Sequence, residues 1–362
     1  MRKFTLAVFI VLLAFTFSPA QSGRIKTYSE SSPQSNKTEP QQETSKKLET
    51  IDDDVIRIET DLVVIPVQIS TSRGKPVSDI KKEEFKIFEN GVEQEVAYFS
   101  NDDQPITVAL VLDMSYSSLF KLSEIQSAAL AFINQLRAND KVMVVSFDEK
   151  VRVLCEATNN RTALRWAIEG TQIASGTSLY SALDVVLSEK LSKIPGRKAV
   201  VLFSDGVDTS SAKITSADIL NGIGASDVLI YPIQYDTYDD VQKSRKENFQ
   251  VFRDDNNRPY VVETPKIKGE REEDYRNANE FLKEISGQTG GRVYGVSSTT
   301  NLNRAFRNIA DELRKIYSLG YYPSTTRKIG VRYAVNVRVY RPDLKIRAKE
   351  GYTWRKNSGK TQ

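Results

Sequence analysis

The sequence predicts an α/β fold: a doubly wound, mostly parallel sheet inserted into a small, discontinuous β-sandwich. Three observations carry this. Between residues 107 and 233, short and wholly apolar runs alternate with helix-period stretches, as parallel strands covered on both faces require. Residues 55–104 and 319–354 instead hold short β-rich runs separated by turn residues. Each flank has too few strands to stand alone, so the two are expected to join in one β domain around the α/β insertion.

Taken in order, residues 1–20 read as a signal peptide. Arg2 and Lys3 give the basic start, residues 6–17 the apolar run, and Ser18-Pro19-Ala20 the small-x-small cleavage site. This predicts a secreted or periplasmic protein. The apolar run is short for a span, and no later stretch approaches the length of a transmembrane helix. Residues 21–54, rich in Ser, Thr, Gln, Glu and Lys, read as a disordered linker.

The first half of the β domain, 55–104, holds the run 62–69 and the Gly74-Lys75-Pro76 turn. The alternating Phe85-Lys86-Ile87-Phe88 follows, then a hairpin signal at Glu89-Asn90-Gly91 and a strand at 96–99. The α/β domain is assigned to 105–318. Strands are expected at 107–112, 141–147, 151–155, 197–204, 227–233 and 292–294. Helices are expected at 118–137, 161–169, 179–190, 215–225, 277–289 and 302–317. Residues 236–276 break the rhythm: 20 of these 41 are charged, in mixed sign. They read as an insertion loop with a hairpin near 249–262. Strands at 317–323, 333–339 and 345–348 supply the second half of the β domain, 319–354. The Tyr-rich stretch 317–322 reads as its core, and 355–362 as a disordered tail.

Composition narrows the chemistry. The 362 residues are 40% hydrophobic and 27% charged with a formal net charge of +4, and they show no basic stripe with interleaved aromatics. Nucleic-acid binding is unsupported. There is no histidine, which excludes Ser-His-Asp and Cys-His sites and His-ligated zinc. The single cysteine, Cys155, lies in a strand-like run and is expected to be a buried structural thiol.

Three separated pieces carry hard oxygen donors. Asp113, Ser115 and Ser117 follow the first α/β strand. Thr177 lies in a Gly-Thr-Ser loop before a helix, and Asp205-Gly206 ends the strand at 197–204. In a doubly wound sheet the loops after neighbouring strands converge on one edge. Two carboxylates and three hydroxyls there suit Mg²⁺ or Mn²⁺ rather than zinc or copper. With two formal negative charges around it, the ion keeps net positive character and attracts a carboxylate from elsewhere. Asp208 and Ser118 lie close by and read as structural caps, with a supporting role behind the ion ligands as the alternative.

The D-x-S-x-S run at 113–117, the Thr177 loop and the Asp205-Gly206 turn, in that order and spacing, resemble the metal-ion-dependent adhesion site of von Willebrand factor A domains. The resemblance covers about residues 105–318. The flanking Glu-Glu-Phe-Lys-Ile-Phe-Glu-Asn-Gly and Leu-Gly-Tyr-Tyr-Pro segments resemble a bacterial secreted subgroup of these proteins. The resemblance implies that Ser115 and Ser117 bind the ion directly, and Thr177 does so in a ligand-competent state. Asp113 and Asp205 would act largely through water or hydrogen bonds. It implies Mg²⁺, with Mn²⁺ or Ca²⁺ as substitutes, and a protein partner whose Asp or Glu fills the open position. The expected function is therefore a secreted adhesion or assembly module and not an enzyme. Two alternatives stay open: a cell-envelope scaffold that binds without metal, and a metal-assisted hydrolase. The hydrolase lacks a phosphate-cradling glycine loop or a nucleophile elbow to support it.

Overall fold

The structure, a computed structural model, describes residues 62–101, 104–116, 122–224, 226–247, 251–261 and 264–354. The readings of 1–20 as signal peptide, 21–54 as linker and 355–362 as tail lie outside the described residues, as does Ser117.

In chain order the first strands are β1 (Val63–Thr71), β2 (Phe85–Glu89), β3 (Val92–Gln94) and β4 (Tyr98–Ser100). Then come β5 (Ile106–Asp113), α1 (Leu122–Gln135), β6 (Lys141–Phe147), β7 (Val151–Thr158), α2 (Arg161–Glu169) and α3 (Leu179–Asp184). α3 runs on into a wide π-type segment, Val185–Lys190. Next are β8 (Arg197–Ser204), α4 (Ser216–Ile223), β9 (Val228–Gln234), α5 (Tyr238–Glu247), β10 (Val251–Arg253), β11 (Pro259–Val261), α6 (Glu272–Thr289), β12 (Tyr294–Gly295) and α7 (Thr299–Leu313). β13 (Ile316–Tyr321), β14 (Arg332–Val339), β15 (Leu344–Ala348) and β16 (Gly351–Thr353) complete the order.

The central sheet has the order β12-β9-β8-β5-β6-β7, parallel except for the antiparallel edge strand β7. β5 is buried along its whole length. Val108, Leu110 and Leu112 pack into one core with Ile125 and Phe132 of α1 and Phe306 of α7. Ala109 and Val111 face the other core, with Leu183 of α3 and Leu282 of α6. A strand buried on both faces needs a continuous apolar run rather than alternation, which is why 107–112 contains no charge. The chain leaves β5 on one side for β6 and β7, then crosses to β8 on the other. Strand order therefore reverses between β5 and β8, and crevices in such sheets open at that point.

Of the remaining strands β10 pairs with β11, and the other eight form two antiparallel four-stranded sheets, β15-β1-β13-β4 and β16-β14-β2-β3. Ile65 and Val67 of β1, Ile87 of β2, Leu319 and Tyr321 of β13, and Val335 and Val337 of β14 share one core, so the sheets face each other as a sandwich. Each sheet mixes strands from both sides of the α/β region. Tyr317, as read from sequence, is core: its hydroxyl accepts from the Ile80 N–H at 3.0 Å. Inside the sandwich Glu89 is 5% exposed and fully partnered. Tyr321 and Tyr352 hydroxyls donate to its Oε2 at 2.6 and 2.8 Å. The Arg327 guanidinium pairs with the same carboxylate.

Several sequence expectations are corrected. The hairpin expected near 249–262 is β10–β11, but the stretch 236–276 also holds α5, and α6 begins inside it at Glu272 rather than at 277. The sequence reading missed α5 because it buries no residue and so shows no apolar stripe. The early start of α6 reads as loop because it is charged. Its Glu272, Glu273 and Asp274 are first-turn acids, and Asp274 accepts from the Gly269 and Arg271 N–H groups at 2.8 and 3.1 Å. α7 stops at Leu313 and β13 starts at Ile316, earlier than expected. Cys155 is only half-buried, because it sits on the edge strand.

Candidate metal centre

The site stands where the strand order reverses. β5 ends at Asp113 and β8 at Ser204, and Leu112 is in register with Phe203, so these two strand ends are neighbours. The Ser204 hydroxyl donates to Asp113 Oδ2 at 2.7 Å and accepts from the Gly206 N–H at 3.0 Å. Asp113 Oδ1 accepts from the Ser115 N–H at 3.0 Å, which turns the chain back after the strand. The Met114 carbonyl accepts from the Ala174 N–H at 2.9 Å, and Ser115 bridges to Ala174 in parallel. The D-x-S segment is thereby laid against the loop that carries Thr177.

Thr177 is fixed from two sides. Its N–H donates to Thr209 Oγ1 at 3.0 Å and lies 3.2 Å from Ser210 Oγ. Its carbonyl accepts from the N–H groups of both those residues. The next residue, Ser178, donates its N–H to the Asp148 carbonyl and its hydroxyl to the Glu149 carbonyl, both at 2.8 Å. Gly176 adopts φ +79°, and a Cβ there would lie 2.7 Å from Ser210 Oγ, so the loop approaches its neighbour too closely for any side chain. Ser178 is the N-cap of α3 yet makes no side-chain cap bond. That role falls to Asp208, whose Oδ2 accepts from the Tyr180 N–H at 3.0 Å. The reading of Asp208 as a structural cap holds.

Asp205 follows β8 directly. Its Oδ1 accepts from the Val207 N–H at 2.9 Å and its Oδ2 from the Thr237 hydroxyl at 2.7 Å. Gly206 takes φ +88°, and a Cβ there would strike Leu282 Cδ1 at 2.7 Å. Thr237 is fully buried and lies 3.3 Å from the Tyr275 hydroxyl, which donates to the Gly269 carbonyl at 3.1 Å. Lys268 pairs with Asp208 at 3.3 Å. The 236–276 insertion therefore packs over the site at both its ends.

Asp113, Ser115, Thr177 and Asp205 are all buried, at most 5% exposed. Among the described residues neither carboxylate pairs with a lysine or arginine. Burial, and then the charge of Asp205, push the Asp113 carboxyl well above the ordinary aspartate range. Burial raises Asp205 too, with the charge of Asp236 adding and the Thr237 hydroxyl opposing. Two carboxylates close enough to feel each other in a low-dielectric setting lack a countercharge. Ser204 and Ser115 bond to the Asp113 carboxylate, and Thr237 and the Val207 N–H to that of Asp205. Among the described residues no three His, Cys, Asp or Glu side chains cluster as a metal cage. An ion here would rely on hydroxyls, and such an all-oxygen set fits Mg²⁺.

A model of the von Willebrand factor type A domain matches residues 108–207, the span that runs from within β5 to just past Asp205. The chain carries a von Willebrand factor type A domain. A curated relative, an uncharacterized protein of Synechocystis sp., is 30% identical over 106 residues, covering 28% of this chain and 25% of its own length. The match thus spans a quarter of that relative. Among solved structures, the conserved hypothetical protein BatB of Bacteroides thetaiotaomicron is 13% identical with a TM-score of 0.40, over 58% of this chain and 99% of that one. The von Willebrand factor domain of the type V pili tip protein Mfa5 from Porphyromonas gingivalis is 14% identical, TM-score 0.41, over 58% and 95%. A von Willebrand factor type A protein of Catenulispora acidiphila is 12% identical, TM-score 0.43, over 82% and 74%.

The sequence reading missed Ser204 and Thr237. Ser204 was legible as the last residue of a strand neighbouring β5. Thr237 carries no motif; only its place four residues past Ile233, on the edge where the strands end, pointed to it.

Proposed function

We propose that the chain is an exported, metal-dependent protein-binding module. It captures a partner's Asp or Glu through a Mg²⁺ ion held by Asp113, Ser115, Ser117, Thr177 and Asp205. Domains of this family typically serve adhesion and assembly. The observation that carries the reading is the buried Asp113/Asp205 pair, held by hydroxyl and N–H donors but matched, among the described residues, to no cationic side chain. The ion supplies the missing positive charge and an open position for an incoming carboxylate. Ser204 and Thr237 hold the two aspartates in place, and the Thr177 loop is braced by Thr209 and Ser210. The role we propose is binding rather than catalysis, in keeping with a domain family whose members mostly serve as adhesion and structural modules. Mn²⁺ or Ca²⁺ would substitute for Mg²⁺ with altered affinity. The signal-like composition of residues 1–20 supports a periplasmic or extracellular location. Among the described residues no helix is long and apolar enough to cross a membrane.

Calorimetric titration of the full chain with Mg²⁺ and Mn²⁺ tests this, with acetate added as a minimal carboxylate. Saturable binding that is lost in Ser115→Ala/Asp205→Ala is the expected result. Equal heats in wild type and variant, with and without acetate, would move the reading to a metal-free scaffold.

A further inference from the structure

The end of the insertion forms a corner, and that corner reaches two of the ion loops at once. Just before α6 the chain turns tightly. The Glu270 N–H donates to the Ile267 carbonyl at 3.1 Å, and the Ile267 N–H donates to Glu270 Oε2 at 3.0 Å. Asp274, in the first turn of α6, accepts from the Gly269 N–H at 2.8 Å, which pins the corner to the helix that follows. The corner is pinned to α5 as well. Arg245 pairs with the Glu270 carboxylate, and Gln242 Nε2 donates to the Glu270 carbonyl at 2.8 Å. None of these bonds touches an ion ligand; together they stiffen the corner.

Two sides of this stiff piece meet the site. On one, Lys268 Nζ lies 3.3 Å from Asp208 Oδ1, and Gly269 presses on Thr209. Gly269 takes φ +91°, and a Cβ there would lie 2.7 Å from Thr209 Cγ2, so the backbone itself makes the approach. Thr209 is the residue whose hydroxyl accepts from the Thr177 N–H and whose own N–H donates to the Thr177 carbonyl. On the other side, the Tyr275 ring packs edge-on against Tyr238 at 5.2 Å. Its hydroxyl lies 3.1 Å from the Gly269 carbonyl and 3.3 Å from Thr237 Oγ1, and Thr237 donates to Asp205 Oδ2. An unbroken path of contacts therefore runs from Thr177 through Thr209, Gly269, Tyr275 and Thr237 to Asp205. The two ion loops lie far apart in the chain, and this path ties them together from outside.

In an all-oxygen site the spacing of the donors decides which ion is held. Mg²⁺ needs oxygens at about 2.0–2.1 Å in a near-ideal octahedron, whereas Ca²⁺ takes them at about 2.3–2.6 Å in looser geometry. Donors held rigidly at the shorter spacing favour Mg²⁺, and donors free to spread lose that advantage. We infer that the Lys268–Tyr275 corner is a spacer: it fixes the Thr177 loop relative to Asp205 and thereby makes the site prefer Mg²⁺ over Ca²⁺. Lys268 and Tyr275 are positioning residues, acting through the Asp208-Thr209 segment and through Thr237. This rests on the ion-binding reading above and names the residues that set which ion is held.

The test is calorimetric titration of the full chain with Mg²⁺ and, separately, with Ca²⁺, acetate being present in both. Wild type should bind Mg²⁺ the more tightly. Tyr275→Phe keeps the ring and removes the hydroxyl; it should weaken Mg²⁺ about tenfold and Ca²⁺ by less than about threefold. Lys268→Met should shift the ratio the same way, and Lys268→Arg, which keeps a charge opposite Asp208, should retain the wild-type ratio. Neither side chain is buried, so melting temperatures in EDTA should match wild type. If Tyr275→Phe melts lower, the exposed Lys268→Met decides alone. Equal weakening of both ions, an unchanged ratio, or a wild type without preference for Mg²⁺ would overturn the inference and leave the ion reading intact. A wild type that takes up neither ion would sink that reading and the inference with it.

Discussion

Two buried carboxylate clusters in this chain answer the same physical problem in opposite ways. In the sandwich, Glu89 meets Arg327 and two tyrosine hydroxyls, so its charge is matched within the protein. At the switch point of the central sheet, Asp113 and Asp205 meet, among the described residues, hydroxyls, N–H groups and each other. The first cluster is closed and serves the fold. The second leaves two buried carboxyls raised above the ordinary aspartate range. A buried acid whose countercharge is supplied within the chain is structural; one whose countercharge is missing points to a ligand.

The sharpest way to break this contrast is to open the closed cluster. Arg327→Met should cost about 3–5 kcal/mol, because it leaves Glu89 buried and uncompensated; urea unfolding at neutral pH measures it. A loss below about 1 kcal/mol would mean that the tyrosines alone suffice. The next largest effect lies at the open cluster. Thr237→Val removes the donor to Asp205 Oδ2 while keeping the shape. It should weaken Mg²⁺ about 10–100-fold, the usual cost of losing an outer-shell partner, read by calorimetry.

A pH effect follows, with its sign set by the raised carboxyls. Both aspartates are protonated more readily folded than unfolded, so the native state holds more protons between about pH 4 and the Asp113 value of about 7. Stability of the metal-free chain attributable to this pair should therefore fall as pH rises from 5 to 7.5, by on the order of 1–2 kcal/mol. Mg²⁺ should restore it at pH 7.5 and do little at pH 5. Melting curves in EDTA and in Mg²⁺ decide this, and a metal-free chain that gains stability over that range would contradict it. The smallest effect is the most telling. Asp113→Asn should raise metal-free stability at pH 7.5 by about 1 kcal/mol while abolishing Mg²⁺ binding. Loss of a buried charge at the closed cluster has the opposite sign.

Much of this was legible in the sequence, for physical reasons. β5 was readable because burial on both faces demands an unbroken apolar run, and Asp113 ends that run. The sandwich was readable because each flank alternates yet has too few strands. What escaped was structure held by long-range or purely polar bonds. α5 has no buried residue, so it has no periodicity to see. Thr237 looks like any loop threonine until the fold sets its hydroxyl 2.7 Å from an aspartate 32 positions earlier. Arg327, in the segment after β13, gave no hint that it would neutralise Glu89, 238 positions away.

The sandwich also decides how the chain bears load. β4, just before the α/β region, and β13, just after it, pair side by side, Tyr98 with Gly320 and Ser100 with Ser318. Pull Leu62 away from Trp354, and tension enters β1 and passes across its ladders to β13 and β15. The α/β region hangs from that path as a side branch, entered and left at neighbouring points. Traction along the chain would therefore shear sandwich ladders before it reached the loops after β5 and β8. Traction applied at those loops would load the central sheet directly, so the two points of pull answer to different forces.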